Sequence, residues 1–156
     1  MAEMIYLVDI AKCIACEKCE LACAQYNLKE MNAARARIKI LKRPPTRPGE
    51  DAGIPVVCLQ CDDAACVRVC QVGALTRSAV TGAIEVNHDR CVRCKMCIPA
   101  CPFGNMTWDE PSHAVQKCDL CHGTPQCVLY CPTGALKYRP ASELTQPRRV
   151  EERRPG

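Results

Sequence analysis

The distribution of cysteine constrains this chain more than any other feature of its sequence. Sixteen of its 156 residues are cysteines. They fall into four groups of four, and none is left over. The first and third groups have the spacing C-x2-C-x2-C-x3-C, the second C-x2-C-x4-C-x3-C and the fourth C-x2-C-x5-C-x3-C. In chain order the groups are Cys13, Cys16, Cys19 and Cys23; Cys58, Cys61, Cys66 and Cys70; Cys91, Cys94, Cys97 and Cys101; and Cys118, Cys121, Cys127 and Cys131.

Large side chains that could fill an interior are scarce. One Trp, four Tyr and one Phe are the only aromatic residues, so inorganic clusters held by the cysteines would supply the missing bulk. A disulfide scaffold is the alternative, but such scaffolds are typical of secreted chains with a signal peptide. The start MAEMIYLVDIAKC does not resemble a signal peptide. We therefore expect a cytoplasmic protein, and we expect no direct membrane insertion because no stretch approaches the roughly 18 apolar residues of a spanning helix.

The spacing of the third group identifies the metal chemistry. C-x2-C-x2-C-x3-C-P is the bacterial ferredoxin pattern, in which three thiolates hold one cluster and the fourth cysteine reaches another. Residues 91–102 carry it in full, whereas Ala24 and Gln71 replace the trailing proline in the first two groups. These departures remove no ligand, so the sequence predicts four [4Fe-4S] clusters. A zinc-binding interaction module is a remote alternative, because a zinc site of paired C-x2-C elements leaves the third cysteine of the run unused.

Net charge and motifs limit the possible functions. The formal charge of +4 treats every cysteine as neutral. Each oxidised [4Fe-4S] unit with four thiolates carries about −2, which brings the holoprotein to about −4. We therefore expect no nucleic-acid partner. No nucleophile motif, phosphate loop or dinucleotide fingerprint occurs, so we expect an electron-transfer protein without a substrate site of its own.

An internal repeat accompanies the cysteines. Segments 66–75 and 127–136 agree at six of ten positions, which indicates a duplication. The three-residue gap before the last cysteine of each group spans about one helical turn, so a short helix is expected there. A turn is predicted at residues 81–82. Short strands are predicted at residues 5–8, 74–77, 84–86 and 136–138.

In the alternation of its four groups, the chain resembles the four-cluster iron-sulfur subunits that accompany molybdenum or tungsten pterin enzymes, such as dimethyl sulfoxide reductase, formate dehydrogenase and respiratory nitrate reductase. The resemblance covers about residues 4–139. It implies an α+β fold of two bacterial ferredoxin-like modules with short hairpins and helices, one nested in the other, built around four clusters. The expected units are an outer module of residues 1–30 and 105–140, an inner module of residues 55–104, a basic, proline-containing connection of residues 31–54 and a C-terminal arm of residues 141–156.

The resemblance also implies that the last cysteine of each group crosses to a site formed mainly by another group. In that family the four clusters form a nearly linear row, with one end facing the catalytic partner and the other the next carrier. The expected sites are site 1 with Cys13, Cys16, Cys19 and Cys131; site 2 with Cys23, Cys118, Cys121 and Cys127; site 3 with Cys58, Cys61, Cys66 and Cys101; and site 4 with Cys70, Cys91, Cys94 and Cys97.

The family resemblance implies a function and partners as well. Electrons would pass between a catalytic pterin-type molybdenum or tungsten oxidoreductase subunit and a second redox partner. That partner would be a flavin subunit or another copy of the chain, which could build a head-to-tail filament. In its short length the chain is similar to the small electron-transfer subunits of tungsten aldehyde oxidoreductase complexes. The alternative is a free-standing polyferredoxin that serves hydrogenase or carbon monoxide dehydrogenase.

Two sets of basic residues are candidates for roles beyond ligation. Lys12, Arg90 and Lys117 each precede the first cysteine of a group, where a cation would favour the reduced cluster. Solvated surface charge is the alternative. A docking role is predicted for a second set, which comprises the basic run Arg35, Arg37, Lys39, Lys42, Arg43 and Arg47 and the tail arginines Arg148, Arg149, Arg153 and Arg154.

Overall fold

The computed structural model describes residues 4–44 and 52–140. Arg47 and the arginines of the predicted arm lie outside these ranges. Short 3-10 turns occur at Ile10–Lys12, Ala33–Arg35 and Leu120–Gly123. The strands and α-helices of the described part are, in order, β1 Met4–Val8, α1 Lys18–Leu28, β2 Lys39–Arg43, β3 Ala52–Val56, α2 Ala65–Arg68, β4 Leu75–Arg77, β5 Ile84–Val86, α3 Cys97–Ala100, β6 Met106–Asp109, β7 Ala114–Lys117, α4 Gln126–Leu129 and β8 Leu136–Pro140.

The strands pair into small antiparallel sheets. The described residues form four two-stranded sheets, which are β1 with β8, β2 with β3, β4 with β5, and β6 with β7. The first sheet joins the two ends of the described chain, with Val8 opposite Leu136. The Asp9 N–H extends it by donating to the Ala135 carbonyl at 2.7 Å. The first and fourth cysteine groups are thereby brought side by side.

The structure confirms the mixed α+β class and most of the predicted strands. Strand β5 has the predicted bounds, and the predicted turn joins it to β4 through the Ser78 N–H, which donates to the Ala83 carbonyl at 2.7 Å. Strands β1 and β8 are longer than predicted by one and two residues. The hairpin of β6 and β7 was not predicted. The nesting of two modules stays a prediction.

Each cysteine group leads into a helix, as the spacing predicts. Helix α1 is the longest and carries Cys19 and Cys23, since its Lys, Leu, Ala and Gln residues favour helix. It ends where Lys29 adopts a left-handed conformation with φ of 58°. The other three helices are single turns that contain the third cysteine of their group. Pro102 and Pro132 follow the last cysteine of two groups and disfavour continuation of the helix.

The buried interior is made of small side chains and cysteines. One apolar cluster contains Ala24, Ala36 and Ile38 together with cysteines of the first and fourth groups. A second contains Ile84 and Met106, packed among cysteines of the second and third groups. Because cysteine sulfurs border both clusters, groups bound to them would be part of the packed interior.

The basic run that was predicted as a docking surface is largely engaged within the chain. Arg35 donates to Asp109 through Nε at 2.8 Å and Nη2 at 2.6 Å, and Arg37 donates to Asp119 at 2.8 Å. Lys39 donates to backbone carbonyls. The sequence did not reveal these contacts because the acidic partners lie 74 and 82 positions away. These arginines therefore hold the connection against residues 109–119.

Candidate metal-binding sites

Three surface-open cavities are each lined by four cysteines that come from two different groups. The cysteines expected at site 1 line a cavity of about 300 Å³. Those of site 3 line one of about 370 Å³, and those of site 4 line one of about 380 Å³. In each cavity, three cysteines belong to one group and the fourth is the last cysteine of another group.

The cysteines expected at site 2 are also brought together. Cys23 and Cys127 are buried in one apolar cluster, and Cys118 packs against it. Cys121 lies close enough to Cys23 for the charge of one sulfur to disfavour a charge on the other. The sixteen cysteines predicted from the sequence therefore gather in four places. Their assignment as ligands stays a prediction.

Left-handed residues shape the loops between the first two cysteines of each group. The residue before the second cysteine has a positive φ in all four groups: 53° at Ala15, 51° at Gln60, 59° at Arg93 and 58° at Leu120. This conformation costs a non-glycine residue about 1–2 kcal/mol, so surrounding contacts must enforce it. These positions were not predictable from the sequence because none is a glycine or asparagine.

Backbone N–H groups surround the last cysteine of the first three groups. The Arg37 N–H donates to Cys23 Sγ at 3.3 Å, the Ala74 N–H to Cys70 Sγ at 3.2 Å and the Asn105 N–H to Cys101 Sγ at 3.4 Å. Burial raises the pKa of the Cys70 thiol, but the backbone N–H groups around it outweigh burial, so the pKa falls below its ordinary value. Such donors stabilise anionic sulfur and tune the potential of an iron-sulfur cluster.

Other cysteines are held in places where a lone thiolate is unfavourable. Burial raises the pKa of Cys19 to about 12, and the nearby Cys127 adds to the effect. Burial likewise raises the pKa of Cys97 to about 11. Because thiolates are the ligand form, a bound metal must supply the compensating positive charge. Sets of four sulfurs, some stabilised and some buried, fit an iron-sulfur cluster in their donor chemistry.

The cysteines are not arranged around a single ion. Zinc binds sulfur at about 2.3 Å in a closed tetrahedron. Within residues 4–44 and 52–140, no three His, Cys, Asp or Glu side chains are grouped as ligands of a single ion.

Solvent exposure distinguishes two of the four sites. Cys16 and Cys94 are exposed, whereas the other fourteen cysteines are buried or half-buried. Cys16 belongs to site 1 and lies near the exposed Ile14, and Cys94 belongs to site 4 and lies near Val92 and Met96. Sites 1 and 4 therefore each present one cysteine at the protein surface.

Cysteines of each site lie close to cysteines of the next site. Cys19 of site 1 interacts with Cys127 of site 2, and Cys118 of site 2 interacts with Cys58 of site 3. Cysteines of sites 3 and 4 border the same apolar cluster. Neighbouring sites are thus adjacent in the order 1, 2, 3, 4.

Among the described residues, no helix is both long enough and apolar enough to cross a membrane.

Comparison with protein families gives two matches. The family of 4Fe-4S dicluster domains matches residues 52–140, and a family of 4Fe-4S binding domains matches residues 10–26. Together these matches include all four cysteine groups.

Individual proteins are similar over most of the chain. Electron transport protein HydN of Escherichia coli (strain K12) is 32% identical, with 90% of each chain covered. The beta subunit of NADH-dependent phenylglyoxylate dehydrogenase from Aromatoleum evansii is 39% identical over 83% of this chain, which spans 29% of that subunit. The solved BamBC active-site complex of benzoyl coenzyme A reductase with benzoyl-CoA has a chain of similar fold, with a TM-score of 0.50, 24% identity, and coverage of 88% of this chain and 80% of that one.

Proposed function

We propose, for a chain that belongs to the 4Fe-4S dicluster family, that four [4Fe-4S] clusters carry electrons through it between a catalytic oxidoreductase subunit and a second redox partner. One observation carries the proposal: cysteines from different groups line common cavities, four to a cavity. Relatives named as an electron transport protein and as a dehydrogenase subunit support it. We further propose that the chain has no substrate site of its own and works in the cytoplasm, where thiols stay reduced.

The proposed ligands are the cysteines of sites 1 to 4 as defined above. Each bound cluster would supply one-electron exchange. The chain would fix the order of the clusters and stabilise sulfur charge through N–H donors. The two-module organisation would follow, with residues 1–30 and 105–140 around sites 1 and 2 and residues 55–104 around sites 3 and 4. Residues 31–54 would connect the modules, and residues 141–156 would form an arm.

The two exposed sites differ in charge, and we propose that they dock different partners. Residues 9–19, around site 1, carry two acidic residues, Asp9 and Glu17, and two basic residues, Lys12 and Lys18. A charge-balanced surface with exposed isoleucines suits a stable interface. We assign it to the catalytic subunit, which we propose to be of the pterin-type molybdenum or tungsten class.

Site 4 has a different surface. Residues 88–97 contain three basic residues and one acidic residue, and Arg93 and Lys95 are exposed beside Cys94. A basic rim around an exposed ligand favours fast association with an acidic protein. We assign this face to the second redox partner, such as a flavin subunit or another carrier. A second copy of the chain would dock here only if its site 1 face were acidic, which disfavours a filament.

Metal content tests the proposal directly. Sixteen ligands in four cubanes require about sixteen iron and sixteen labile sulfide per chain, with paramagnetic signals on reduction. About four zinc ions and no iron would instead establish the zinc module. Affinity capture of the intact chain then tests the partner, since recovery of no oxidoreductase would favour a free-standing polyferredoxin.

A further inference from the structure

The three cations that precede cysteine groups occupy different environments. The Lys12 side chain is 51% exposed and lies 3.5 Å from Asp9. Arg90 is exposed and donates to the Val72 carbonyl at 2.9 Å. Lys117, by contrast, is 3% exposed. Only the third of these charges is therefore held inside the protein.

Lys117 lies between sites 2 and 3. It ends strand β7 directly before Cys118, a site 2 cysteine, and it lines the cavity of site 3 with Cys58 and Cys66. Its Nζ donates to Gln60 Oε1 and to the Cys118 carbonyl, both at 2.9 Å. Gln60 is fixed in turn, because its Nε2 donates to the same carbonyl at 2.8 Å.

Among the described residues, no carboxylate pairs with this ammonium group. Both of its acceptors are neutral oxygens, and the ion pairs among residues 4–44 and 52–140 do not include Lys117. Burial of a charge without a counter-charge is strongly unfavourable. The available counter-charge is the negative charge of the cysteine sulfurs of sites 2 and 3, which lie on either side of Lys117.

We propose that Lys117 is a fixed positive charge shared by sites 2 and 3 that raises the reduction potential of both clusters. The inference rests on the proposed four-cluster function. One electron added to either cluster makes it more negative, and the positive charge of Lys117 stabilises that state. Electrons would therefore reside preferentially in the middle of the row, away from the exposed ends.

The expected size follows from Coulomb's law. At an effective dielectric constant of about 20, a unit charge changes the ratio of reduced to oxidised cluster about ten-fold at about 12 Å, and more at shorter range. For a one-electron couple, ten-fold corresponds to about 59 mV. Removal of the charge should thus lower two midpoint potentials by at least roughly that amount.

The experiment is a redox titration of the full-length holoprotein followed by electron paramagnetic resonance. In Lys117→Met the charge is lost. In Gln60→Glu a carboxylate is placed at the same Nζ, which neutralises the charge without removing the lysine. Lys117→Arg keeps the charge, and Lys12→Met removes an exposed cation that also precedes a group. We expect the first two variants to lower two potentials and the last two to remain near wild type.

The outcomes separate this inference from the proposed function. Unchanged potentials in Lys117→Met and Gln60→Glu would overturn the role of Lys117, as would an equal shift in Lys12→Met or Lys117→Arg. If Lys117→Met loses iron, the midpoint potentials of Gln60→Glu alone test the role of Lys117. A wild-type iron content far below sixteen per chain would overturn the four-cluster proposal and this inference with it.

Discussion

The ion pair between Arg35 and Asp109 should be a main support of the connection that follows α1. Asp109 is 6% exposed at the end of β6 and accepts two hydrogen bonds from Arg35. Ser112 adds donors from its N–H at 3.0 Å and from its hydroxyl. In Asp109→Asn the negative charge is lost, and an amide NH2 donor replaces one carboxylate oxygen. Arg35 keeps Glu30 as its charged partner at 2.5 Å.

The size of the effect follows from the hydrogen bonds that this substitution weakens or removes. Hydrogen bonds to charged groups contribute about 1.5–3 kcal/mol each, and part of the geometry survives in the amide. We expect a total loss of about 2–3 kcal/mol in the free energy of unfolding. If that loss falls on the unfolding barrier, cluster bleaching in urea becomes faster by up to roughly 100-fold.

The assay is the rate of visible bleaching of the holoprotein in urea, because a cluster protein does not unfold in a simple two-state equilibrium. Asp63→Asn is the matched control, since Asp63 pairs with Arg68 at 3.1 Å on the surface and such pairs contribute little. Similar bleaching rates for the two variants would show that the buried pair contributes no more to stability than the exposed one.

The dependence on pH provides a further check. The Arg35 guanidinium, with help from Ser112, holds the pKa of Asp109 well below its usual range. A depressed native-state pKa adds stability above the unfolded value of about 3.9, and this stability is lost as pH falls toward the native value. The difference between wild type and Asp109→Asn should therefore be constant from about pH 5 to 8.

Three other changes give distinct expected outcomes. Cys131→Ser should damage the site 1 cluster and Cys127→Ser the site 2 cluster, which paramagnetic resonance spectra of the two variants would distinguish. Arg93→Gln with Lys95→Gln should slow association with an acidic redox partner and weaken its salt dependence in stopped-flow measurements. Gly53→Ala should lower the free energy of unfolding by about 1–3 kcal/mol through overpacking. A Cβ at this position would lie 2.7 Å from a side-chain carbon of Ile40 and 3.2 Å from Cys13 Sγ. Iron loss on heating measures the effect.

Each of these has its own control. Identical spectra for the two serine variants would contradict crossed ligation and favour four local sites. Arg68→Gln removes an exposed charge outside the site 4 loop. If this variant slowed association as much as Arg93→Gln with Lys95→Gln, the effect would come from net charge rather than from the site 4 surface. Gly82→Ala has open space around the new Cβ but a positive φ. An iron loss in this variant as large as in Gly53→Ala would point to general backbone strain rather than crowding at site 1.

The parts of the fold that were predicted correctly depend on local sequence. Cysteine spacing located the helices because a three-residue gap and a helical turn have nearly the same length, and Ile84–Val86 was evident as a short apolar strand. The partners of Arg35 and Arg37 were not predictable, since no local pattern indicates which distant carboxylate a cation will meet. Left-handed Ala15 was missed for a similar reason, because the metal-site loop rather than the residue type demands that conformation.

Which cysteine groups share a site was expected from family resemblance rather than from spacing. The ferredoxin spacing predicts that the last cysteine of a group reaches another site, but it does not specify which one. The pairing of β1 with β8 brings Cys131 to the cavity of Cys13. The local sequence of neither strand indicates a partner so far away along the chain. The burial of Lys117 was not predictable from the sequence either. Lys12 and Lys117 both directly precede a cysteine, and they differ only in their surroundings.

The pairing of the first and last strands also sets an order of assembly during synthesis. The cysteines of sites 3 and 4 all lie between residues 58 and 101, so these sites can gather as soon as that segment leaves the ribosome. The cavity of site 1 needs Cys131, and Val8 has no strand partner until Leu136 has been made. Site 1 is therefore completed last. Under the proposed ligation, a chain that stops before residue 131 would lack the fourth ligand of the site 1 cluster.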